Sequence, residues 1–76
     1  MKESFYNVAA ACRELGIDDD RAQELADAVV AVVAKDPAVE AVASILQDGE
    51  LQIWTVTRPG YKLRAEPGLY LVGGAK

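Results

Sequence analysis

Histidine, on which general acid–base catalysis and most activated nucleophiles lean, is absent from this chain. Cys12 is the single cysteine, and it sits between Ala11 and Arg13 in an apolar stripe. It therefore reads as a buried structural thiol, because a reactive thiolate needs exposure and positive neighbours. One thiol without imidazoles makes no zinc site, and it cannot form a disulfide within the chain. Asp18-Asp19-Asp20 offers oxygen ligands of the kind Mg²⁺ and Ca²⁺ prefer. Consecutive side chains cannot all converge on one ion, however, and the spaced ligands of a calcium loop are missing. The triplet is expected to cap a helix instead. Arg58-Pro59-Gly60 reads as a turn, and no Gly-rich phosphate cradle is present. The expectation is a non-enzymatic protein with no cofactor and no metal.

One constellation remains. Trp54, Arg58, Tyr61, Lys62, Arg64 and Tyr70 gather in the last third of the chain. Interleaved aromatics and cations can stack bases and neutralise phosphates. Trp, Tyr and Arg are equally the usual anchors of protein interfaces. Net charge is −4, which opposes generic nucleic-acid affinity. The charge is also uneven. Residues 1–50 carry four cations against eleven carboxylates, giving −7, and residues 51–76 carry four cations against Glu66 alone, giving +3. The plainest reading is that Trp54 and one tyrosine are core while the cations are solvated; as a binding set, with so few cations, Trp54, Arg58, Tyr61, Lys62 and Arg64 are assigned to a protein partner before nucleic acid. Nucleic acid is the alternative.

These residues need elements to hold them. Phe5, Val8, Ala9, Cys12 and Leu15 fall at helical spacing, which predicts a helix from Ser4 to Leu15 with Ser4 as cap and Gly16 as stop. Asp18-Asp19-Asp20 opens a second helix, with Asp20 and Gln23 as a candidate capping box. Its core stripe is Ala22, Leu25, Ala26, Val29, Val32 and Val33. Its second half, Ala28 to Ala34, is apolar all round, the mark of a helix covered on every side. Beyond Lys35-Asp36-Pro37 the sequence allows a third helix or a strand. Asp48-Gly49 is a strong hairpin signal, so a strand from Val39 to Gln47 is preferred, paired with Glu50–Thr57. A second hairpin is expected from Tyr61–Ala65 and Leu69–Val72 around Glu66-Pro67-Gly68. Residues 73–76 form a frayed tail.

The fold class is α+β: two N-terminal helices on one face of a small antiparallel sheet, in the order α-α-β-β-β-β and within one domain of 76 residues. The tight Asp48-Gly49 turn sets the faces. Val42, Ser44 and Leu46 share one with Leu51, Ile53 and Thr55; Ala41, Ala43 and Ile45 share the other with Gln52, Trp54 and Val56. Neither face is cleanly polar, and two short helices can cover only one. A domain this size buries roughly 60% of its unfolded surface and usually needs a supplement to its core. A partner is the supplement left once disulfide and metal are set aside. The chain is therefore read as a self-associating interaction module, or as a regulator or inhibitor of a larger protein. The expected interface is Val30, Val42, Leu46, Leu51 and Ile53. An acidic front of this size can also mimic nucleic acid, as some phage-encoded anti-defence inhibitors do by charge and size. No export signal and no apolar run long enough for a bilayer are seen, so a cytoplasmic setting without membrane contact is expected.

Overall fold

The computed structural model describes residues 2–63 and Pro67. Its elements run β1 (Lys2–Asn7), α1 (Val8–Glu14), α2 (Asp19–Val33), β2 (Val39–Gln47) and β3 (Glu50–Thr57). The three strands form one antiparallel sheet in the order β1-β3-β2. The α+β class and the antiparallel sheet match the expectation. The α-α-β-β-β-β order does not, because the chain opens on a strand.

The segment Lys2–Asn7 is the main correction. Phe5, Val8 and Cys12 lie at helical spacing, yet Phe5 belongs to β1 and only Val8 and Cys12 to α1. The β-prone pair Phe5-Tyr6 gains ladder bonds by pairing with β3, which would otherwise have one edge open. The helix cap moves accordingly from Ser4 to Asn7, whose Oδ1 accepts the Ala10 N–H at 2.9 Å. Gly16 ends α1 as expected, at φ 74°. There the Ile17 N–H reaches Cys12 O at 2.8 Å and the Gly16 N–H reaches Arg13 O at 3.2 Å, a Schellman closure.

Within the acidic triplet it is Asp18 that caps α2, its Oδ1 accepting the Arg21 N–H at 2.9 Å. The Asp20–Gln23 capping box is not used; Gln23 donates to Asp27 Oδ1 at 3.1 Å instead. At Asp36-Pro37 no third helix starts. Asp36 Oδ1 accepts the Ala38 N–H at 2.9 Å, turning the chain into β2. The hairpin turn has positive φ at Asp48 (55°) and Gly49 (76°), the primed geometry that suits strand twist. The pairing is the one the sequence predicts: Leu46 opposite Leu51, Ser44 opposite Ile53 and Ala43 opposite Trp54. Tyr61–Leu63 are not a strand. Pro67, expected in the turn of the second hairpin, is helical and buried; the other residues of that hairpin, Leu69–Val72 included, and the 73–76 tail lie outside the described residues.

The core lies between the helices and one face of the sheet. Val8 and Cys12 of α1, with Ala22, Leu25, Ala26, Val29 and Val33 of α2, close over Ile53 and Val39. α2 packs over β2, and α1 over β3. The stripe on α2 is as expected except at Val32, which is 44% exposed. Ala28 and Ala31 are exposed as well, so the apolar second half of α2 is not covered on every side. Among the described residues no helix is long and apolar enough to cross a membrane.

Candidate interaction surface

Alternation along the strands sends the side chains of β3 to opposite sides of the sheet. Ile53 and Thr55 point to the helices and are buried. Gln52, Trp54 and Val56 point away. The cross-strand register then builds the outer face row by row. Phe5, Trp54 and Ala43 stand side by side; Glu3, Val56 and Ala41 form the next row. On the other flank, Gln52 lies beside Ile45. Phe5 is 49% exposed, and Trp54, Val56, Ala41, Ala43 and Ile45 are half-buried. The small Ala43 leaves the indole room, and the Trp54 Nε1–H donates to Glu3 Oε2 at 2.7 Å across β1. That bond fixes the ring and leaves its flat surface apolar.

The interface expected from sequence lies mostly on the other face. Ile53 is fully buried under the helices, so no partner can reach it in the folded chain. Val30, Val42 and Leu51 are half-buried and packed against the core. Leu46 alone of that set stands free, at 77% exposed. Two hairpin faces were legible, and the helices cover the one that had been expected to bind.

The partner-binding set also divides. Trp54 is on the open face. Arg58 turns back to the start of β2: its Nε donates to Pro37 O at 3.2 Å and its Nη1 lies 3.7 Å from Glu40 Oε2. The Arg58 N–H also donates to Ala38 O at 2.8 Å. Arg58 thus ties the exit of β3 to the entry of β2. Tyr61 and Lys62, with Lys2, Thr57 and Leu63, line a cavity of about 240 Å³ beside the end of the sheet. Arg64 and Tyr70 lie outside the described residues. Trp54 thus stands on the outer face of the sheet, while Arg58 reaches back to the start of β2 and Lys62 borders the cavity at the sheet's end. The residues that sequence reasoning missed are Phe5 and Glu3, and only the pairing of β1 with β3 brings them to Trp54.

A second cavity, about 250 Å³, lies between the start of α2 and the hairpin tip, lined by Ala9, Arg13, Asp19, Gln23, Leu46 and Glu50 among others. Arg13 and Glu50 form a two-pronged ion pair at its rim. The hydrogen bond to Glu50 is the main reason the Arg13 guanidinium is held above its ordinary value, and the same bond draws the Glu50 carboxyl below its own. Both groups are exposed to solvent, so the pair is a surface clasp rather than a charged site. Burial, and then the negative Asp19, push the Cys12 thiol upward, away from the thiolate. Tyr6 is raised in the same way, by burial first and then by Cys12 and Glu14. Among the described residues, no three of Cys, Asp and Glu come together as metal ligands. No protein-family model, curated protein or solved structure matches this chain.

Proposed function

We propose that this chain is a non-catalytic protein-interaction module that binds through the outer face of its sheet, with Phe5 and Trp54 as anchors. One observation carries the reading: both helices lie on the opposite face, while Phe5 and Trp54 stand side by side on the outer one with Ala43, Ile45 and Val56 around them. Aromatic side chains backed by small apolar neighbours supply large contact area with little conformational entropy to lose. The partner is a second copy or a larger protein that this module regulates. Cys12 as a buried, protonated thiol suits a reducing compartment, so the cytosol is part of the proposal.

The nucleic-acid alternative draws less support. Base stacking on the sheet would need cations near Trp54. The charged side chain bonded to Trp54 is the carboxylate of Glu3, and Arg58 is engaged by Glu40 and Pro37.

Phe5→Lys tests the proposal. Phe5 is half out in solvent, so the variant keeps its fold by circular dichroism. Wild type and variant are immobilised in parallel and exposed to extract of the source cells. Proteins other than the chain itself that wild type retains are expected to fall at least about tenfold on the variant. The same proteins held equally by both would remove the outer face from consideration.

A further inference from the structure

We infer that β2 is a dimer seam: it pairs edge to edge, antiparallel about Ser44, with β2 of a second copy, giving one continuous six-stranded sheet. This adds a surface to the interaction reading, since the edge and the outer face are different parts of the sheet.

The strand order β1-β3-β2 leaves β1 and β2 as the edges among the described residues. The two are guarded differently. β1 carries Lys2 and Glu3 in six residues. β2 is nine residues long, and its single charge, Glu40, sits at the bulge between Val39 and Ala41. From Ala41 to Gln47 it has no charge, no proline and no bulge. Charges, prolines and bulges are the devices by which edges avoid pairing. Over Ala41–Gln47 the β2 edge has none of them and is suited to being paired.

The side chains fit a two-fold seam. Centring on Ser44 sets Val42 against Leu46 of the second copy and Ala43 against its Ile45. Leu46, at 77% the most exposed large apolar side chain described, thereby gains apolar cover. Centring one residue earlier would instead set Leu46 against Glu40; centring on Ser44 keeps Glu40 off Leu46 and puts it opposite Asp48 of the turn, beyond the uncharged run. The layer above agrees. α2 is the helix over β2, so extending the sheet brings α2 alongside its copy. Its second half is uncharged from Ala28 to Ala34, with Val30 half-buried and Val32 44% exposed. A stable dimer buries on the order of 1,200 Å², so the seam requires α2 of each copy to pack against the other as well as the strand ladder. The two-fold axis stands perpendicular to the sheet, so both Phe5–Trp54 rows face the same way and form one doubled platform.

The test compares wild type, Leu46→Lys and Phe5→Lys by sedimentation from about 1 µM to 1 mM, with amide exchange read over β2. Wild type is expected to dimerise. Leu46→Lys is expected to weaken the dimer by at least about 100-fold, because the symmetric seam carries the change twice. Leu46→Gln should act in the same direction but less. Thermal stability of the isolated protomer should not move, since Leu46 is already in water there. Phe5→Lys should dimerise like wild type. Protection of the Ala41–Leu46 amides should rise with concentration. A dimer lost in Phe5→Lys and kept in Leu46→Lys would assign the dimer to the outer face and overturn the seam. So would a wild type monomeric at 1 mM. Protection of β2 that is independent of concentration would mean that another part of the same chain occupies the edge, and would overturn it as well. Failure of the outer-face proposal is read separately, from capture on Phe5→Lys.

Discussion

Ile53 and Leu46 lie on the same side of the hairpin and were expected to bind together, but the structure gives them opposite roles. Ile53 sits in the central strand, fully buried beneath Val8, Cys12, Val29 and Val33; Leu46 is 77% exposed. Trimming Ile53 to valine removes one buried methylene and leaves a small void, which costs about 0.5–1.5 kcal/mol. Trimming it to alanine costs about 2–5 kcal/mol. A 76-residue domain holds roughly 4–11 kcal/mol in total, so Ile53→Ala endangers the fold while Ile53→Val leaves it measurable. Leu46→Ala in the protomer should stay within about 0.5 kcal/mol. The assay is urea unfolding followed by the emission of Trp54, the only tryptophan, at low protein concentration so that association does not contribute. With a urea slope near about 1 kcal/mol/M, Ile53→Val lowers the midpoint by about 1 M without changing the slope. If Leu46→Ala shifted the midpoint more than Ile53→Val, the assignment of the helix-covered face would be wrong.

Three further outcomes follow from the local chemistry. Asn7→Ala removes the side-chain acceptor at the start of α1 and should lower stability by about 1 kcal/mol, read by the same unfolding curve, with Asn7→Asp close to neutral. The Glu50 carboxyl is held below its ordinary value by Arg13, so its contribution is complete above that ordinary value and is lost as pH falls through the depressed one. Glu50→Gln should therefore flatten the acid limb of stability against pH, and the change should shrink in high salt because the pair is exposed. Cys12, buried and raised, should react with a thiol reagent only as fast as the chain opens, so that mild denaturant accelerates labelling steeply while native protein stays unmodified for hours.

What the sequence made legible had local causes. The β2–β3 register follows from two residues, Asp48 and Gly49, because a primed turn leaves no freedom in the pairing. α2 announces itself by the acidic triplet and a stripe in phase over fifteen residues. β1 has no such signal. Its partner is about fifty residues away, no turn joins the two, and Phe5 happens to fall in phase with Val8 and Cys12. Missing β1 also hid the outer face, since Phe5 and the Glu3–Trp54 bond exist only once β1 lies beside β3. Parity along the hairpin sorted residues into two faces but could not say which one the helices take. That choice depends on the layer above: Val8 and Cys12 of α1 and the α2 stripe meet Ile53 rather than Trp54. The contacts of Arg58 were hidden for a related reason. Its type and place suggest a partner, while its contacts run to Pro37, just before β2, and to Glu40, at the start of β2.

The central claim is that this chain works by holding another protein surface rather than by chemistry. Native mass spectrometry of the chain, isolated gently from its source cells at its normal abundance, addresses that claim most directly. The 8.1 kDa chain is expected in heavier particles of fixed composition, and Phe5→Lys, still folded, is expected to lose the outer-face partner from them. A bare 8.1 kDa species under those conditions, unchanged by Phe5→Lys, would contradict it.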